Sequence, residues 1–84
     1  MIVDDEKDIV DFLKYNIEKE NYFVYTAETG EKAVEMTRKV MPSMILMDVM
    51  MPQMDGIEAC RVIRKDRLIQ QTIIVFLTFR SADY

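Results

Sequence analysis

Residues 45–56 read Ile-Leu-Met-Asp-Val-Met-Met-Pro-Gln-Met-Asp-Gly (ILMDVMMPQMDG), and the fold turns on them. The run from Met44 to Met47 has no apolar/polar alternation, which suits a strand buried on both faces of a parallel sheet. It stops on a carboxylate, Asp48, and the chain then passes through Pro52 to a second acid, Asp55, and to Gly56. Asp55, with Glu58 three residues on, resembles a capping box, so a helix starts there. Ile57, Ala59, Cys60, Val62 and Ile63 mark its inner side, and it should reach about Arg67.

Working toward the N-terminus, Gly30 to Val40 carries Ala33, Val34 and Met36 at helical spacing, and Pro42 closes that helix. Tyr22 to Ala27 is aromatic and β-branched, hence a short strand. Ile9, Val10, Leu13 and Ile17 fall on one face of a helix from about Glu6 to Lys19, with acids in its first turn where the helix dipole favours them. Ile2 and Val3 read as the end of a strand that halts at Asp4 and Asp5. Toward the C-terminus, Ile73 to Leu77 is another unbroken apolar strand, ending at Thr78, and Ser81 to Asp83 look like the opening of a helix. Strands alternating with helices imply βαβ units and a parallel sheet, so the fold class is α/β. No repeat, low-complexity tract or linker divides the chain, so one domain over residues 1–84 is expected.

Composition narrows the chemistry. A chain of 84 residues buries only about 60% of the surface its unfolded form exposes. It is 50% hydrophobic and 31% charged, as soluble globular proteins are. The net charge of −4 lacks the basic excess that neutralises phosphates, so no nucleic acid is expected to bind through these residues. There is no histidine, which removes the commonest general base and metal ligand. The single cysteine, Cys60, has no disulfide partner and reads as a core residue, and a reducing, cytoplasmic setting is expected. The apolar runs fall short of the ~20 residues that span a bilayer, so no membrane association is expected. Eight methionines, several of them between Met36 and Met54, read as core and loop packing rather than soft-metal ligands.

In open parallel α/β sheets, ligands bind beyond the carboxyl ends of the strands. Here those ends carry Asp4, Asp5, Asp48 and Thr78. Any one acid at a strand end is an ordinary turn residue. Three together repel, which raises their proton affinity unless a cation sits among them, and Mg²⁺ with its preference for oxygen ligands is the natural choice. A carboxylate beside Mg²⁺ can act as a nucleophile toward a phosphoryl group, and Thr78 could donate a hydrogen bond to the product.

The motifs VDDE (Val3–Glu6), MDVMMPQMDG (Met47–Gly56) and FLTFRS (Phe76–Ser81) together resemble the receiver domain of two-component response regulators, and the likeness covers essentially the whole chain. The resemblance implies a flavodoxin-like parallel sheet with helices on both faces, in the order 2-1-3-4-5. About four strands and three helices of the usual five and five are present, so the sequence reads as a receiver fragment. It implies Asp48 as phosphoacceptor, Asp4 and Asp5 as the acidic pair that holds Mg²⁺, and Met50 as donor of a backbone carbonyl to the metal. Thr78 would be the switch hydroxyl, and Pro52 and Gly56 would shape the loop of the pocket.

The sequence departs from the family pattern in two ways. None of Lys7, Lys14, Lys19, Lys32, Lys39 and Lys65 matches the fifth-strand lysine that pairs with the phosphoryl group, and Phe79 replaces a usually small residue. The implied function is acceptance of a phosphoryl group on Asp48 from a sensor histidine kinase, switching an output domain or partner protein. The helix DFLKYNIEKENY resembles that of receivers preceding winged-helix DNA-binding domains, hence transcription regulation. The chain is expected not to be an enzyme beyond its own phosphorylation and dephosphorylation. The alternative is a structural or interaction fragment without phosphotransfer competence. An aspartate-nucleophile phosphatase ranks lower, because Met50 stands where it would carry a second acid. An uncovered Ile73–Leu77 edge implies a homo-oligomer or a domain-swapped dimer.

Overall fold

The computed structural model describes residues 1–78, so Phe79 and the helix opening at Ser81–Asp83 lie outside the described residues. The elements are β1 (Ile2–Val3), α1 (Lys7–Glu18), β2 (Thr26–Ala27), α2 (Gly30–Val40), β3 (Met44–Asp48), α3 (Gly56–Lys65) and β4 (Ile73–Leu77). All strand pairs are parallel and the sheet order is β2-β1-β3-β4, as the receiver resemblance implied. From β1 the chain moves to one side of the sheet; from β2 onward it moves to the other. Right-handed crossovers then put α1 on one face and α2 with α3 on the opposite face.

The core lies under α2 and α3. Ile45 and Met47 of β3 pack there with Val3, Ala33, Val34, Ala59 and Ile63. The expectation that β3 is buried on both faces holds for one face only, since Met44 is exposed and Leu46 and Asp48 are half-buried. The physical reason is coverage: α1 buries none of its residues fully, and Phe12 and Tyr15 on it stay exposed. On α3 the inner side is narrower than expected, with Ala59 and Ile63 buried, Cys60 and Val62 half-buried and Ile57 exposed. The methionines divide likewise: Met47 and Met51 are buried, whereas Met41, Met44 and Met50 are exposed.

The expected strand at Tyr22–Ala27 shrinks to Thr26–Ala27 because β1 offers only Ile2 and Val3 to pair with. The Tyr25 carbonyl still accepts from the Ile2 N–H at 2.8 Å. Helix α2 begins at an N-cap, Thr29, whose hydroxyl accepts from the Lys32 N–H at 3.1 Å, and ends with Met41 in the left-handed region ahead of Pro42. Helix α3 stops at Lys65, two residues short of the expected Arg67, with Asp66 as its C-cap, and its end is tied to neighbours. Asp66 pairs with Arg38 of α2 at 2.7 Å, while the Arg64 guanidinium donates to the Gln70 and Thr72 carbonyls.

β4 is an edge strand among the described residues, with Ile73, Val75 and Phe76 exposed. Core and edge should therefore respond differently to truncation. Ile63→Ala should lower stability by about 2–5 kcal/mol, as large-to-small core changes do. Ile73→Ala, at a side chain 55% exposed, should cost about 1 kcal/mol or less, both read from urea denaturation midpoints.

Candidate functional site

The register of the sheet builds the site. Val3 pairs with Met47, so the next residue of each strand, Asp4 and Asp48, comes side by side at the carboxyl ends of β1 and β3. This is also where strand order reverses, the crevice in which α/β sheets bind ligands. Asp4, Asp5 and Asp48 each offer a carboxylate oxygen, and the three atoms lie within 4.8 Å of one another. The cleft beside them has a volume of about 240 Å³ and is lined by Asp4, Glu6, Asp48, Met50 and Thr78, with Ile9 and Leu77 as apolar walls. Asp4, Asp5, Asp48, Met50 and Thr78 are thus gathered at one edge of the sheet.

Asp4 and Asp48 are each held by their own chain. Asp4 Oδ1 accepts the Glu6 N–H at 2.9 Å, and Asp48 Oδ1 accepts the Met50 N–H at 3.1 Å. Both contacts are the local bond of an aspartate to the amide two residues on, which turns the chain away from the strand and involves only one of the two carboxylate oxygens. Asp4 is 2% exposed, Asp48 is half-buried and Asp5 faces solvent.

Crowding and burial raise the proton affinity of the pair. Burial pushes the Asp4 carboxyl above its ordinary range, and the charges of Asp48 and Asp5 and a hydrogen bond with Asp48 add to it, against the lowering effect of the Glu6 N–H. Asp48 is raised as well, first by burial and then by the charges of Asp5 and Glu6, against the Met50 N–H and the hydrogen bond with Asp4. Two carboxylates that interact this closely titrate as a pair. A cation is the other way to relieve the repulsion. The donors are all hard oxygens, which fits Mg²⁺: Asp4, Asp5 and Asp48 would hold the ion, and Met50 lines the same cleft.

The loop after Asp48 is shaped by close approach. A Cβ at Gly56 would lie 2.2 Å from the Asp48 carbonyl oxygen, so a side chain there would displace the end of β3. The Gly56 N–H donates to the Val49 carbonyl at 3.0 Å, closing the loop, and Asp55 caps α3 by accepting from Glu58 N–H at 2.9 Å. Asp55 is therefore a helix cap and takes no place among the clustered acids, while Pro52 lies exposed on the loop. Sequence reasoning passed over Glu6. It is the N-cap of α1 yet its side chain makes no capping bond, so the carboxylate lines the cleft and presses on Asp48. The available signal was its place two residues after Asp4, at the helix entrance.

Among the described residues, no helix is long and apolar enough to cross a membrane. Comparison with known proteins agrees with the geometry. The chain is 39% identical, over its full length, to the alkaline phosphatase synthesis transcriptional regulatory protein PhoP of Bacillus subtilis, and it spans 34% of that protein. The N-terminal domain of a response regulator receiver protein from Methanoculleus marisnigri superposes with a TM-score of 0.90 at 33% identity, covering 94% of this chain and 64% of the other. The chemotaxis protein CheY4 of Vibrio cholerae gives a TM-score of 0.87 at 29% identity, covering 98% of this chain and 68% of the other. The family model described as the response regulator receiver domain matches residues 1–84, and with the acids of β1 and β3 gathered at the switch point of the sheet, the chain belongs to that family.

Proposed function

We propose that the chain accepts a phosphoryl group on Asp48 from a phosphohistidine of a sensor kinase, and that the charge added there switches an output domain or partner protein. The observation that carries this reading is the meeting of Asp4, Asp5 and Asp48 within 4.8 Å beside the open cleft that Thr78 lines. In the step itself, the free Asp48 oxygen bonds to phosphorus as the bond from phosphorus to the donor imidazole nitrogen breaks, and the imidazole takes up a proton. Bound Mg²⁺ supplies charge neutralisation for the anionic phosphoryl oxygens. Asp4 and Asp5 hold the cationic site, the Met50 N–H keeps Asp48 oriented, and the Thr78 hydroxyl donates to a phosphoryl oxygen.

The chain is a phosphoacceptor rather than an enzyme turning over separate substrates, and it works in the cytoplasm beside its kinase. Similarity to a transcriptional regulator, of which it spans about a third, favours a regulator of transcription whose DNA contacts lie outside these residues. The exposed Ile73, Val75 and Phe76 of β4 favour association with a second copy through that edge.

Incubation with Mg²⁺ and acetyl phosphate should add one phosphoryl mass to the protein and none to Asp48→Asn, read by intact mass spectrometry. Equal labelling of the variant would remove Asp48 as the acceptor. Sedimentation velocity should show a dimer at high concentration that Val75→Glu disperses; a monomer throughout would exclude the edge contact.

The acid pair also makes stability depend on pH in a definite direction. Because the Asp4 and Asp48 carboxyls are raised, the folded state holds protons more tightly than the unfolded one. The resulting stabilisation is full below the ordinary carboxylate range and is lost as pH rises through the raised values. Without divalent cation, thermal melts should therefore show this contribution fading from about pH 4 toward neutrality. Mg²⁺ should restore the loss, and Asp4→Asn should both flatten the pH dependence and abolish the Mg²⁺ response.

A further inference from the structure

Gly30 is the first residue of α2, and nothing in its backbone requires glycine: its φ is not positive, and the first turn of a helix accepts most residues. Glycine there even weakens the helix relative to alanine. What distinguishes the position is space. A Cβ on Gly30 would lie 2.4 Å from the Met54 carbonyl oxygen, 2.8 Å from Met54 Cγ and 2.9 Å from Met54 Cβ. The hydrogen that takes the place of Cβ therefore faces the Met54 carbonyl, a close Cα–H···O approach between the start of α2 and the loop between β3 and α3.

That loop runs from Val49 to Asp55, and it carries Met50, whose N–H donates to Asp48 Oδ1 and which lines the cleft. It is pinned at its ends by the Val49 carbonyl and the Gly56 N–H, and near its middle by Met51, which is 7% exposed. Gln53, just before Met54, has a φ of 65°, in the left-handed region that residues other than glycine adopt only occasionally. Gly30 brings the start of α2 directly against the loop at Met54.

We propose that Gly30 is a positioning residue: by bringing no side chain, it lets α2 seat Met54 and so holds Met50 at the geometry that orients Asp48 and the cation site. The inference rests on the phosphoacceptor reading for its consequence, though not for its geometry. A side chain at position 30 must push Met54 outward. The displacement passes along the loop to Met50, where misplacement of groups that orient ligand atoms typically weakens metal binding about 10–100-fold.

The test compares the parent, Gly30→Ala and Glu35→Gly. Glu35 is exposed on the same helix, so its change weakens α2 without reaching the loop. Amide exchange measured by NMR without added ligand should be faster at Met50 and Gly56 in Gly30→Ala by about tenfold, and unchanged in Glu35→Gly. In Mg²⁺ titrations, Gly30→Ala should bind about tenfold more weakly than the parent, with Glu35→Gly binding as the parent does. If Gly30→Ala exchanges like the parent at both amides, or if Glu35→Gly reproduces its losses, the positioning role is overturned. A parent that takes no Mg²⁺ would sink the phosphoacceptor reading instead, while the exchange comparison would still decide the role of Gly30.

Discussion

Everything at the functional end of the molecule depends on the parallel pairing of Val3 with Met47. Because strand side chains alternate with a period of two, a slip of one residue would turn Asp48 to the other face and carry Ile45 and Met47 out of the core. The same ladder thus specifies the hydrophobic packing and the meeting of the carboxylates. Burial of Ile45 and Met47, which makes the register strict, is also what forces two acids into a space where they repel. The fold stabilises an arrangement that is locally unfavourable, as binding sites for cations commonly are.

Much of this was legible in the chain. The βαβ alternation and the acids after Val3 and Met47 follow from hydrophobic runs that end on carboxylates, and α2, β3 and β4 emerge where their patterns place them. The family motifs then narrowed the sheet order. What the pattern could not show was coverage. An unbroken apolar run reads as buried on both faces, yet Met44 and Leu46 are only partly screened, because α1 lies over their face without burying any residue fully. Nor could β propensity at Tyr22–Tyr25 make a strand without a partner of equal length.

The site divides in the same way. Asp4, Asp5 and Asp48 were visible as residue types at strand ends, a one-dimensional signal. Glu6 and Gly30 were not, since their importance comes from what lies across space: the Asp48 charge for one, the Met54 carbonyl for the other. Gly56 is intermediate. A glycine after an acid already reads as a loop-to-helix junction, but only the structure shows that its missing side chain makes room for the Asp48 carbonyl itself.

The Met50 N–H bond to Asp48 Oδ1 has one more consequence. With the carboxylate ionised, that bond is charge-assisted, about twice as strong as a neutral one. Were the other oxygen to form the proposed acyl phosphate, Oδ1 would become an ordinary carbonyl oxygen and the tether to the loop would drop to a neutral hydrogen bond. Chemical modification at the end of β3 would then slacken the very segment that orients Asp48. The conformational signal would begin as a loosening of the loop that follows Asp48.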